Sequence, residues 1–225
     1  GKSRATVERY SLELGELLLA EHAKIIVVAC NTASALGVPR MKEVFQVPVQ
    51  GVILPGAKAA VASTKNKIIG VIGTRATIAS GAYERAILDI DPAARIHSAA
   101  CPLLVPLIEE GLFDDPVTDQ ILARYLDPLL SKGIDTLVLG CTHYPLLKPA
   151  IAKISGPSVS LVDSAENCAL AVQTLLRDAQ LSAPANHSGQ LDVALTDATE
   201  GFLRTAAQAL ELKINQVTLG DTARK

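Results

Sequence analysis

Cys30 and Cys141 each close a run of aliphatic residues and open a polar turn. The first ends Lys24-Ile25-Ile26-Val27-Val28-Ala29-Cys30 and leads into Asn31-Thr32. The second ends Thr136-Leu137-Val138-Leu139-Gly140-Cys141 and leads into Thr142-His143. A thiol between a strand and a helix would feel the positive helix N-terminus and the N–H groups around it. That would lower its pKa from about 8.5 toward neutrality and supply a thiolate. A thiol poised near the working pH can act as general acid or base, contributing about 10²–10⁴-fold. Two of them on opposite faces of one carbon can remove a proton from one side and return one from the other. Such a pair inverts a stereocentre without a cofactor.

The residues beside the thiols fit that chemistry. Asn31, Thr32 and Thr142 are neutral donors suited to carboxylates, and Thr74, after a third aliphatic run, is another. His143, two residues past Cys141, could exchange a proton with that thiol or with a substrate amine. A single cysteine after a strand is most often a small buried hydrophobe. A matched pair, each followed by polar residues, shifts the balance toward chemistry. Cys101, in Ala99-Ala100-Cys101-Pro102, and Cys168, inside a helical apolar pattern, lack that setting and are expected to pack. A redox role fits poorly, because thiols that leave room for a substrate are too far apart to bridge. No HxH, HExxH or CxxC spacing is present, so no metal site is expected. Gly70-Val71-Ile72-Gly73-Thr74 matches neither common phosphate-binding pattern and is a weak nucleotide signal.

The elements that must hold these residues alternate along the chain. Helical periodicity runs through 5–21, with Val7, Tyr10, Leu14, Leu17 and Leu18 as its apolar face. Strands are expected at 24–30, 47–51, 67–73, 95–98, 136–140, 158–163 and 191–196. Helices are expected between them, with a breaker at Gly37-Val38-Pro39. Further helices are read at 118–132, with a kink at Pro128, at 145–154 and at 198–210. Alternation of this kind argues for an α/β fold, with mainly parallel sheets flanked by helices on both faces. Ligands in such folds sit beyond the carboxyl ends of the strands. The two strand–cysteine turns lie 111 residues apart and read as an approximate internal duplication.

Composition narrows the function. The 225 residues are 49% hydrophobic and 20% charged, a globular balance that excludes a disordered tail. The formal net charge of -2 argues against nucleic-acid partners and against a polybasic membrane surface. No apolar run approaches the ~20 residues of a spanning helix. Four cysteines outside any disulfide framework point to a reducing, cytoplasmic setting. Aromatics make up only 3%, so the core must be aliphatic, as in buried parallel strands.

Val28-Ala29-Cys30-Asn31-Thr32-Ala33-Ser34-Ala35 and Leu139-Gly140-Cys141-Thr142-His143-Tyr144-Pro145-Leu146-Leu147 resemble the two signature motifs of glutamate racemases, in the cofactor-independent aspartate/glutamate racemase superfamily. Gly70–Thr77 with Ser80 and Tyr83, Ala100–Gly111 and Val162-Asp163-Ser164 are similar too. The resemblance implies two pseudo-symmetric α/β domains with the active site between them: 1–52 with 164–225, and 53–163. It implies Cys30 and Cys141 as the acid/base thiols, and Asn31, Thr32, Thr74, Thr142 and His143 as substrate contacts. Glu109 would be an acidic group on the cleft side. The implied reaction interconverts L- and D-glutamate for peptidoglycan synthesis, with no cofactor and a small-molecule partner only. A homodimer is compatible with it.

The family pattern also has an upstream strand with an Asp-Ser-Gly motif, which has no counterpart before Lys2-Ser3. The expectation is a chain of weak or no activity, with an unpaired strand edge and open apolar surface. The C-terminal Gly220-Asp221-Thr222-Ala223-Arg224 resembles a segment the family carries near its start. Two other readings stand beside this one: a racemase of another amino acid such as aspartate, and a non-catalytic α/β binding module.

Overall fold

The computed structural model describes residues 2–197 and 216–219. At its centre is a four-stranded parallel sheet of β3 (Ile68–Gly73), β4 (Arg95–Ala100), β5 (Thr136–Gly140) and β6 (Ser160–Asp163), in the order β4-β3-β5-β6. A separate parallel pair joins β1 (Ile26–Val28) to β2 (Val49–Gly51), and another joins β7 (Asp192–Leu195) to β8 (Gln216–Leu219). The helix expected at 198–210 lies outside the described residues. β8 lies outside the strands expected from the sequence.

Both faces of the central sheet are covered, and its two inner strands, β3 and β5, are buried almost throughout. On one face Ile72, Leu137 and Leu139 pack with α7 (Leu104–Glu109), α8 (Pro116–Leu130) and α9 (Lys148–Ser155) through Leu104, Ile108, Leu122, Leu126 and Ile151. On the other, Ile69, Val71, Val138 and Val162 meet α4 (Ile53–Ser63) and α6 (Ala82–Ile90) through Ala57, Ala60, Tyr83 and Ile87. A smaller core of Ile26, Val38, Met41, Phe45 and Val49 lies beneath β1 and β2.

Local chemistry starts the helices where the strands stop. Thr74 caps α5 (Arg75–Ala79) by accepting from the Thr77 N–H, and Asp163 caps α10 (Ser164–Asp178) by accepting from Ala165. Asp115 caps α8, and Pro116 follows at the first helical position, where its missing N–H costs nothing. α8 continues through Pro128 to Leu130. Gly81 precedes α6 at φ 63°, a conformation that glycine adopts without steric penalty.

Two expectations need correction. Helix α1 (Arg4–Ala20) forms, but the face its periodicity assigned to the core is largely turned outward: Tyr10, Leu14 and Leu18 are exposed. The buried positions are Ser11 and Gly15. Small residues win there because they permit close approach: a Cβ on Gly15 would overlap the Phe45 ring, and one on Gly37 would overlap Ser11. Among the described residues, β1 pairs only with β2, and Val27 on it is exposed. The duplication is also less regular than expected. Cys30 opens a true helix, α2 (Asn31–Leu36), which α3 (Val38–Val44) follows. Cys141 instead enters a turn and a 3-10 segment, Tyr144–Leu147, before α9 begins.

Candidate active site

The register of the central sheet brings its functional positions to one edge. Gly73 pairs with Ala100 on one side and Gly140 on the other, and Leu139 pairs with Asp163. The next residue on each strand is therefore Thr74, Cys101, Cys141 or Ser164, all at the carboxyl edge where ligands of such sheets bind. Cys30 lies two residues past the end of β1.

The two thiols differ in exposure. Cys30 is exposed at the head of α2, whereas Cys141 is 6% exposed. Burial pushes the Cys141 thiol up from its ordinary value. Hydrogen bonding around His143, Thr142 and Tyr144 pulls the other way, and the nearby Cys30 adds to the rise. The expected lowering at Cys141 is thus reversed: desolvation outweighs the N–H groups of the turn, and no helix begins there to help.

Thr142 and His143 line up behind the second thiol. His143 Nδ1 is 3.9 Å from Cys141 Sγ and 3.4 Å from Thr142 Oγ1. Its Nε2 lies 3.5 Å from Glu109 Oε1, which joins the cleft acid expected from α7 to the same cluster. Thr32 from α2 meets the central sheet directly. Its hydroxyl lies 2.9 Å from Thr74 Oγ1 and 2.9 Å from Thr77 Oγ1, and the last two are 3.0 Å apart.

Asn31 is placed differently from its neighbours. It is 2% exposed, its Oδ1 accepts from Tyr83 Oη at 2.6 Å, and its Nδ2 donates to Ser164 Oγ at 3.3 Å. Only one N–H of its amide remains for anything else. Thr77, Tyr83 and Ser164 were not among the expected site residues. The sequence did carry a signal for Thr77, which lies three residues after Thr74 and so on the same helical turn. Tyr83 and Ser164 stood in stretches that resemble the family but were given no role there.

Cys101 and Cys168 are buried, as their apolar contexts suggested. Burial pushes the Cys101 thiol up to about 12, and its Sγ donates to the Ala99 carbonyl at 3.6 Å. Among the described residues no group of His, Cys, Asp and Glu side chains is arranged to hold a metal ion, and no helix is long and apolar enough to cross a membrane.

Parallel α/β sheets that gather thiols, hydroxyls and an imidazole beyond their strand ends define an α/β enzyme fold of the racemase class. The chain belongs to the Asp/Glu/hydantoin racemase family, whose profile matches residues 2–172, and it is an isomerase of the glutamate racemase kind. It is 45% identical over 216 residues to the glutamate racemase of Geobacter metallireducens, covering 96% of this chain and 80% of that one. The crystal structure of glutamate racemase isoform RacE1 from Bacillus anthracis superposes with a TM-score of 0.94 at 38% identity, covering 100% of this chain and 84% of the other. Glutamate racemase from Francisella tularensis, solved in complex with D-glutamate, gives 0.91 at 30% identity, with coverage of 99% and 82%.

Proposed function

We propose that this chain carries the machinery that interconverts L- and D-glutamate with two thiols. The thiolate of one cysteine takes the α-hydrogen as a proton, leaving the electron pair on the α-carbon and its carboxylate. The thiol of the other cysteine donates its proton to the opposite face. Each turnover leaves the two cysteines with their protonation exchanged, so the next must run in reverse or await proton exchange with solvent. The observation that carries this reading is geometric: Cys30 heads α2, whose Thr32 hydroxyl lies 2.9 Å from Thr74 Oγ1, and Thr74 and Cys141 follow the paired ends of β3 and β5.

Cys141 rests as a thiol at neutral pH, because burial raises it, and so stands ready as the acid. Thr32, Thr74 and Thr142 supply neutral donors for the substrate carboxylates. His143 lies where it can exchange a proton with Cys141 or hold the substrate amine, and Glu109 orients it. Asn31 has one amide N–H left for substrate. The cleft would lie between a unit of residues 1–52 with 164–225 and a unit of 53–163. The product would be D-glutamate for peptidoglycan synthesis in the cytoplasm.

Circular dichroism of D- and L-glutamate incubated with the chain tests the reading. Cys30→Ala and Cys141→Ala should each lower inversion by about 10²–10⁴-fold, the worth of one acid/base group. Each should still exchange the α-hydrogen with solvent from its intact face. Full inversion by either variant would refute the two-thiol mechanism.

A further inference from the structure

A buried chain of hydrogen bonds runs behind the two thiols and ties one to the other. Asn31, the residue after Cys30, donates to Ser164 Oγ at 3.3 Å, and Ser164 Oγ donates to the Leu139 carbonyl at 3.1 Å. Leu139 stands two residues before Cys141 on β5. Tyr83 holds the other end of the Asn31 amide at 2.6 Å. Asn31, Tyr83, Ser164 and Leu139 are all buried, so water does not compete for these bonds. The connection joins α2 to the central sheet through the first residue of α10, across 133 residues of sequence.

The surroundings leave this chain little slack. The Tyr83 ring is wedged between two glycines: a Cβ on Gly56 would lie 3.1 Å from its Cε1, and one on Gly140 would lie 3.2 Å from its Cε2. The Asn31 amide is thus fixed from both sides. Ser164 is seated by its own helix start, where Asp163 accepts from Ala165 at 2.8 Å and pairs with Lys148 at 3.3 Å.

The geometry points to Ser164, with Tyr83 behind it, as a positioning residue that sets the separation of the Cys30 and Cys141 sulfurs by holding Asn31 to the backbone of β5. This inference rests on the two-thiol reading. A proton transfer between fixed groups is steeply sensitive to placement, and a shift of ~1 Å can cost about 10²-fold in rate. Removing the Ser164 hydroxyl cuts the Asn31 link to β5, leaves α2 held by Tyr83 and by the Thr32 contacts, and lets α2 shift relative to β5. A proton taken at one face then finds its partner thiol misplaced, and the carbanion is more often reprotonated on the face it came from.

The test compares the full chain with its Ser164→Ala and Tyr83→Phe variants, neither of which removes a thiol. Inversion is followed by circular dichroism, α-hydrogen exchange in D₂O by NMR, and folding by thermal melting. Independently of turnover, 1,3-dibromoacetone is offered as a short bridge between Cys30 and Cys141, and the linked peptides are quantified by mass spectrometry. The expected result for Ser164→Ala is a fall in kcat of about 10- to 100-fold, with KM changed far less. Exchange without inversion should rise severalfold relative to inversion, and the Cys30–Cys141 cross-link should fall severalfold. Tyr83→Phe keeps the ring and should show the same pattern more weakly, which covers the case in which Ser164→Ala does not fold. Parallel loss of inversion and exchange, or unchanged cross-linking in a folded variant, would overturn the inference. A wild-type chain that cross-links but never inverts glutamate would sink the two-thiol reading, while the cross-linking comparison would still decide whether Ser164 sets the spacing.

Discussion

His143 Nε2 lies 3.5 Å from Glu109 Oε1, while Nδ1 of the same ring faces the Cys141 sulfur at 3.9 Å. The imidazole thus bridges a buried thiol and a carboxylate on α7. The Glu109 side chain is 58% exposed, and an ion pair that open to water is worth only about 0.2–1 kcal/mol. Glu109→Gln should therefore lower kcat by only about two- to fivefold. His143→Ala, which removes the proposed proton carrier, should cost about 10²-fold or more. Steady-state rates of the two variants check the ranking, and equal losses would mean that Glu109 does more than orient the ring.

Thiol reactivity should follow burial. Alkylation by iodoacetamide at neutral pH should label Cys30 first, because it alone of the four described cysteines is exposed. Desolvation holds Cys141 above the ordinary thiol range, so less of it is thiolate at pH 7. Its labelling rate should keep rising with pH beyond about 8.5, where an unperturbed thiol begins to level off. Cys101, pushed up to about 12, should be the slowest. Peptide mass spectrometry across a pH series resolves the sites, and a Cys141 midpoint below the ordinary value would contradict the burial argument.

Acid stability should depend on Asp135, at the opposite end of the sheet from the thiols. Burial raises its carboxyl. The bonds from Thr64 Oγ1 (2.5 Å), the Asn66 and Lys65 N–H groups (2.8 and 2.7 Å) and Thr136 Oγ1 (3.0 Å) outweigh that, and the net pKa is lowered. A carboxyl lowered in the folded state stabilises the protein above its unfolded pKa, near 4. That contribution is lost as pH falls through the lower folded value. Asp135→Asn keeps one carbonyl oxygen but sets an NH₂ against N–H or O–H donors. It should destabilise the fold by about 2 kcal/mol at pH 7. The difference from wild type should shrink below pH 4 in urea melts.

Gly140 permits a close approach just before Cys141. A Cβ there would lie 2.6 Å from the Ile72 carbonyl oxygen and 3.2 Å from the Tyr83 ring. The first obstacle is backbone of the neighbouring strand and cannot swing aside. Gly140→Ala should cost about 1–3 kcal/mol of stability and should lower inversion by displacing the following thiol. Denaturant midpoints and the racemisation assay, run together, check both parts. An unchanged midpoint would show that β3 and β5 can separate freely.

The sequence made much of the fold legible, because buried parallel strands announce themselves. Ile68–Gly73 and Thr136–Gly140 form as read, and the polar residue after each falls at the sheet edge. The apolar stripe of α1 was misleading: periodicity marks a face but not which neighbour covers it, and Ser11 and Gly15 take the buried side. The likeness of the two cysteine turns overstated their symmetry, since a strand followed by polar residues can open either a helix or a 3-10 turn. Tyr83 and Ser164 stood in family-like stretches, but their bonds to Asn31 span 52 and 133 positions, and no local pattern records such pairings.

By itself the sequence determined which atoms can do the chemistry: two thiols at strand ends, hydroxyls beside them, and an imidazole two residues past the second thiol. Side-chain identity and short-range spacing are enough for that. Only the tertiary structure decided that one thiol is open and the other desolvated, that Thr32 meets Thr74 and Thr77, and that Asn31 is bound to Ser164. Burial and long-range hydrogen bonds depend on how sheets and helices are stacked, and that stacking is settled by the whole chain at once.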